Sequence, residues 1–470
     1  MSDQPQSPFF RLPRELRDII YEHYAHDAEG VFYGYASDKL RYASQCKHQD
    51  KSALTRSCKL AYGEMQFVSV RANMITFLPG RSEADGITYN DLNSKAGRFE
   101  HLVQSVRRMK MHILHHVAKG GCVTPAIVDE VAARYPGIAR FYRQAYDAIK
   151  DGEQLHGLRA IADFDYQWRW QTSASFCDAL HHILELAASH PRFEELAAKA
   201  SVTPYRFQGS MPPFIPGSQQ AVLAWNPERG RIPTDADFVL ESSLADPILR
   251  DSMGWVDWPE PVVPVTWYFS AIAVAANFLE RLPHATRMRI RFPVIIREER
   301  RAVDYCESHV RSIATYLREN PDLRVELHVG FWTNLVHPFW LESLIHEHDP
   351  GLISKPYLLR PFADFLDELS HISNGLRPVK GLSVHIEGCM DESVAAWEMI
   401  KHAASLQDAM LHSDYMQQHQ EVNLSEIMDT VFDVPLSRQA LEERFRLPCA
   451  LPDSFVPAVR HIIEDSSHPL

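Results

Sequence analysis

The chain has 470 residues, 45% hydrophobic and 23% charged, with a formal net charge of −13. That length supports roughly two to three domains with real cores, and the acidic balance argues against a nucleic-acid-binding surface, which would need clustered excess Lys and Arg. Seven scattered cysteines with no Cys-x-x-Cys pair argue against a disulfide framework and against a thiolate zinc site.

In chain order, the polar start from Met1 to Pro8 is unlike a signal peptide. Pro13 then opens a helix expected to reach about Ala25, because proline at the first helical position forfeits no intrahelical bond. Leu16, Ile19, Ile20 and Tyr24 recur at helical spacing and share a face. Residues 27–51 are rich in Gly, Tyr, Ser, Asp and His and read as irregular, and a second helix is expected from Ser52 to about Val70. Further on, Val106 to Ile113 alternates apolar and polar residues and reads as a strand. Thr124 and Pro125 are placed as N-cap and first residue of a helix over about 125–150, and another helix is expected over 172–200.

Residues 201–264 are proline-rich and carry Trp225, Trp255 and Trp258, so they read as a connection pinned to the body. The apolar run from Trp267 to Leu279 falls short of the about 20 residues a bilayer-spanning helix needs, so no membrane partner is expected and the compartment reads as cytoplasm or nucleus. A helix over Tyr268–Leu282 precedes a strand (287–296), a helix (302–319) and a strand (323–331), one candidate βαβ unit. Leu382, Val384 and Ile386 mark a further strand, and a last helix is expected over Ser437–Arg446 with a fraying tail from Asp465. The fold class is mixed α/β: a helical module over 1–75, a mainly helical α/β segment over 76–200, the connection over 201–264, and an α/β body over 265–470. The body reads as an open layer with helices on one face. A degenerate repeat is the alternative, although no strict period of roughly 20–50 residues is visible.

The run Leu12-Pro13-Arg14-Glu15-Leu16-Arg17-Asp18-Ile19-Ile20-Tyr21 resembles the start of an F-box in its filamentous-fungal form, and Leu54 to Glu64, with Cys58 and Tyr62, is similar to the second signature of that group. A further stretch, Trp267 to Pro283 and on through Cys306, His309 and Glu319-Asn320-Pro321 to Phe331-Trp332, is similar to other fungal members. The resemblance covers 9–66 and 267–335. It implies a small helical module that binds the Skp-type adaptor of a cullin–RING ubiquitin ligase, while the rest of the chain holds an unknown protein substrate. Carried over, Leu12, Pro13, Leu16, Ile19 and Ile20 would meet the adaptor, with Leu54 and Cys58 supporting them. The departure is the insert at 27–51, which lengthens the module and bears on whether the docking face stays open.

No catalytic, cofactor or metal site is assigned. His112, His115 and His116, and the pair His181 and His182, lack His-Glu-x-x-His spacing and read as ordinary histidines. His346-Glu347-His348-Asp349 are consecutive, so on a helix their side chains diverge. Glu298-Glu299 read as a helix-capping pair, and Trp168, Trp170, Trp267, Trp332 and Trp340 as core or interface anchors. Phosphate-loop, dinucleotide and nucleophile-elbow motifs are absent. The readings left open are an F-box-like recruiter, a scaffold whose N-terminal helices are consumed internally, and an enzyme of unrecognised type.

Overall fold

Local chemistry sets the N-terminal helix. In the computed structural model α1 spans Arg14–Ala25, and Pro13 is the extended residue leading into it. The structure describes residues 7–43, 53–81, 94–135, 174–202, 217–240, 266–300, 310–335, 355–372, 380–388 and 455–466, with positions 143, 146, 302, 394, 397, 398, 400, 401, 404, 405 and 408 besides.

The insert is not irregular where it is described. Val31–Gly34 (β1) and Lys39–Tyr42 (β2) form an antiparallel hairpin with Val31 opposite Tyr42 and Gly34 opposite Lys39. Val31 and Tyr33 are buried while Phe32 faces out, the alternation of a half-buried strand. The single helix expected over Ser52–Val70 is two short ones, α2 (Lys59–Met65) and α3 (Val68–Ala72). Phe67 separates them with φ of 62°, a left-handed conformation that stops a helix.

β3 (Ile75–Phe77) pairs in parallel with β1 on one side and with β4 (Val294–Glu298) on the other. β5 (Val325–Gly330) and β6 (Leu382–Glu387) extend the sheet in parallel, giving the order β2-β1-β3-β4-β5-β6. The fold is therefore mixed α/β with a mostly parallel six-stranded sheet. Its strands come from two distant parts of the chain, and those over 31–42 lie within the stretch read as a helical module.

Between β3 and β4 the chain builds a helical lobe. α4 (Lys95–Lys119) is its spine, capped by Ser94, whose Oγ accepts from the Gly97 amide at 2.9 Å. The strand expected over Val106–Ile113 is the middle of this helix. Leu102, Val106, Met109, Ile113 and Val117 form one buried helical stripe, and Arg107, Lys110 and His112 are buried as well. Eight residues of apparent alternation arose because nearly every side of α4 is covered. α5 (Pro125–Arg134) starts at Thr124, whose Oγ1 accepts from Ile127 N at 3.4 Å. α6 (Ala174–Ala187), α7 (Phe193–Val202) and α8 (Gln219–Ala224) complete the lobe around Phe176, Leu180, Leu184 and Phe193. Trp225, just after α8, packs on both this core and that of the sheet, and its Nε1 donates to Asp237 O at 2.9 Å.

α9 (Ala271–Arg281) returns to the sheet and lies over β3 and β4, burying Ile272, Val274, Ala275 and Leu279. The strand expected over 287–296 begins late: a helical turn, α10 (His284–Arg287), and a loop precede β4. Asn320 fixes that loop, its Nδ2 donating to Arg287 O at 2.9 Å. Of the helix expected over 302–319, the described part is α11 (Arg311–Glu319), which packs on α9 and completes the βαβ unit with β4 and β5. α12 (Lys355–Ile372) packs on α11, and α13 (Phe455–Ser466) packs on α12. α13 follows the helix expected to be the last (437–446) and runs into the tail expected to fray from Asp465, because Phe455, Val456 and Val459 bury against the core. Trp168, Trp170, Trp255, Trp258, Trp340, 346–349, 437–446 and Cys46, Cys306, Cys389 and Cys449 lie outside the described residues.

Gly381 starts the β5–β6 ladder: its carbonyl accepts from Val325 N at 2.7 Å, and its φ is 91°. A Cβ there would stand 2.4 Å from the Leu323 carbonyl oxygen, which is backbone and cannot swing aside. Gly381→Ala should therefore cost about 2 kcal/mol or more in urea denaturation. An unchanged midpoint would contradict the strain.

Candidate functional site

α1 divides its residues between two faces. Tyr21 and Ala25 are buried with Met65, Val68 and Ala72 in a small core of their own, against which Phe9, Tyr24 and Leu54 pack. Leu16, Ile19 and Ile20 point the other way and are 48%, 52% and 41% exposed. Leu12 is half-buried and Pro13 exposed. Cys58 is buried at the start of α2, its Sγ accepting from Ala61 N at 3.3 Å, so it holds the module from within. Leu60 and Tyr62 on α2 are 40% and 61% exposed. They belong to the second signature; helical spacing groups Tyr62 with Leu54, Cys58, Ala61 and Met65 on one face, but Cys58, Ala61 and Met65 are buried while Tyr62 points out.

Glu64 holds this arrangement in place. Its buried carboxylate takes a two-pronged contact from Arg17, Nη2 to Oε1 at 2.6 Å and Nε to Oε2 at 2.9 Å. The Tyr21 hydroxyl donates to Oε2 at 2.8 Å, and Arg14 Nη1 lies 3.0 Å from Oε1. Arg17 also donates to Leu12 O and Phe10 O, tying the lead-in to the helix. The Arg17 hydrogen bond holds the Glu64 carboxyl below its usual range, and burial beside it pushes the Tyr21 hydroxyl upward. At the far end of α1, the fully buried Asn73 accepts from Asp27 N at 2.6 Å and donates to Ala25 O at 2.9 Å and Ser69 O at 3.0 Å. The Leu16, Ile19 and Ile20 stripe is thus carried on a braced helix. The described part of the insert lies in the sheet, paired with β3, and the stripe keeps its exposure.

Other candidate groups serve packing. His112 and His116 meet edge to face at 4.7 Å in the helical lobe, and burial pushes His115 and His116 down to about 4, leaving them neutral at pH 7. His181 Nδ1 lies 3.1 Å from Lys110 Nζ, and His182 Nε2 lies 3.7 Å from Glu130. Trp267 is buried, and Trp332 packs edge-on against Phe331 at 4.8 Å. Glu298, expected to cap the helix after it, caps the one before: its Oε1 accepts from Ile272 N at 2.9 Å, in the first turn of α9.

Among the described residues, one group of side chains can hold a metal ion: Glu326, His328 and His385, each offering a ligand atom within 4.8 Å of the others. Sequence reading assigned no metal site. Alternation put Glu326 and His328 on the polar face of β5, but nothing in the chain announces that β6 lies beside it in register. Among the described residues no helix is long and apolar enough to cross a membrane.

Compared with known protein families, with curated proteins and with solved structures, the chain matches none.

Proposed function

We propose that this chain is an F-box-like, substrate-recruiting protein that docks on a Skp-type ubiquitin-ligase adaptor through α1, working in the cytoplasm or nucleus by recognition without catalysis. One observation carries the reading: Leu16, Ile19 and Ile20 stay about half exposed on a helix that buries Tyr21 and Ala25 on its other side. A helix serving only as a cap on the body would bury that stripe. Side chains of this kind contribute about 1.5–3 kcal/mol each on full burial, so covering three half-exposed ones supplies a few kcal/mol to an interface. Leu12, Pro13, Leu60 and Tyr62 would extend the contact, with Leu54 and Cys58 shaping it from beneath. The α/β body would hold the protein substrate.

The test is co-expression with the adaptor, followed by size-exclusion chromatography and calorimetric titration. The wild-type chain should form a complex. Leu16→Asp with Ile19→Asp should abolish it while shifting the melting temperature by no more than about 2 °C, as expected for exposed positions. Failure of the wild-type chain to bind the adaptor would end this reading, as would capture that persists in the double variant.

A further inference from the structure

The polar face of the sheet is chemically uneven. Along β5 the side chains of Val325, Leu327 and Val329 enter the core, so Glu326 and His328 stand on the other face. On β6 the matching positions are Ser383, His385 and Glu387. The register sets His328 beside His385, Glu326 beside Ser383, and Gly330 beside Glu387. Parallel neighbours lie about 4.8 Å apart, and the two imidazoles accordingly stack with centroids 4.7 Å apart and planes 20° from parallel. Glu326 completes the group from two residues back along β5.

His328 Nδ1 lies 2.6 Å from Glu387 Oε1, and its Nε2 faces Glu326 Oε2 at 3.9 Å. A carboxylate on one ring nitrogen fixes the tautomer in which the other nitrogen carries a free lone pair, and this carboxylate–histidine pairing is how proteins aim an imidazole at a metal ion. Donors bound to one tetrahedral ion at about 2.0–2.2 Å lie about 3.3 Å apart, so a small side-chain adjustment closes the gap. Arg297, on the adjacent strand, is a nearby cation. Its Nη2 is 4.0 Å from Glu387 Oε1 and its Nε is 3.3 Å from Glu299 Oε1. It therefore leans on the outer carboxylates and leaves Glu326 as the charge facing the histidines. Glu326 and His328 are half-buried and His385 is exposed, so the site is shielded yet reachable.

We propose that Glu326, His328 and His385 bind a divalent transition-metal ion of the zinc type, with Glu387 as the residue that positions His328. Two imidazoles and one carboxylate suit zinc, whereas calcium and magnesium call for sets of oxygen ligands. Three protein ligands leave one place of a tetrahedral ion for water or for a group from a bound partner. The site stands apart from α1 and does not depend on the adaptor reading.

The experiment is calorimetric titration of the full chain, freed of metal by chelator, with zinc chloride, and with magnesium and calcium chloride as controls. One zinc ion should bind at micromolar affinity or tighter, with no competition from the controls. His328→Gln and His385→Gln should each remove this binding, and Glu387→Gln should weaken it about 10–100-fold. X-ray absorption of the zinc-loaded wild-type chain should show nitrogen and oxygen ligands with two imidazoles, which keeps the test decisive if a variant fails to fold. The proposal is overturned if zinc does not bind, if binding survives both histidine substitutions together, or if the absorption spectrum shows sulfur in the ligand set.

Discussion

Glu64→Ala should loosen the N-terminal module more than any surface change in it. The substitution leaves the Arg17 guanidinium, the Tyr21 hydroxyl and one contact of Arg14 without their shared acceptor. Breaking a buried ion pair from one side strands the other partner in a poorly hydrated place, and the loss should be about 3 kcal/mol. Glu64→Gln should recover only part of it, because a neutral amide keeps the shape but cannot match the cation. The readout is amide hydrogen exchange along α1, where the buried amides should exchange about a hundred-fold faster or more, at 1.4 kcal/mol per decade. Exchange unchanged within a factor of about three would mean the small core around Tyr21 and Val68 holds without the carboxylate. A carboxyl held below its ordinary value stabilises the fold above the unfolded-state pKa, and that contribution is lost as pH falls through the depressed one.

Glu298 should act with the opposite sign. It is wholly buried at the end of β4, its Oε1 accepts from Ile272 N, and its Oε2 has no hydrogen-bond partner among the described residues. Burial pushes this carboxyl up to about 7, against the pull of the Ile272 and Ala271 amides and Ser270. Between the ordinary glutamate value of about 4.5 and about 7, the folded chain keeps a proton that the unfolded chain has released. Stability is therefore fullest at the acid end of that window and declines as pH rises through it, by about 3 kcal/mol in all at up to about 1.4 kcal/mol per pH unit. Glu298→Gln mimics the protonated form and should remove the decline. The variant should match wild type near pH 5 in urea denaturation and exceed it at pH 8. Parallel curves for the two proteins would show that the carboxyl titrates normally.

What the chain disclosed in advance was its cleanest periodicity. β5 was legible because Val325, Leu327 and Val329 alternate with polar residues just after the stop at Asn320-Pro321, and burial follows that alternation. α1 and the Thr124 cap were legible from spacing and from one or two well-placed residues. Local windows failed where distant contacts decided the outcome. The run from Val106 to Ile113 looked like a wet-and-dry strand, yet Lys110 lies buried with its Nζ 2.8 Å from Trp225 O, a residue from α8's end of the lobe. The hairpin over 31–42 was missed because its reason to be extended is β3, and β3 in turn depends on β4. For the candidate surface, spacing put Leu16, Ile19 and Ile20 on one face. It could not say that Tyr21 and Ala25 would take the inside place. The histidine and glutamate group was invisible for the reason all interstrand sites are: register is a property of two strands, each silent about the other.

A sheet assembled from strands over 31–77 and strands over 294–387 has a schedule. β3 emerges from the ribosome with its hairpin, but the strand that completes it, β4, follows more than two hundred residues later. At about 5–20 residues per second that is a wait of about ten to forty seconds, during which an apolar strand edge stands unpaired. Native assembly thus keeps pace with translation, and a nascent chain arrested inside the helical lobe is a natural client for holding chaperones and a seed for aggregation.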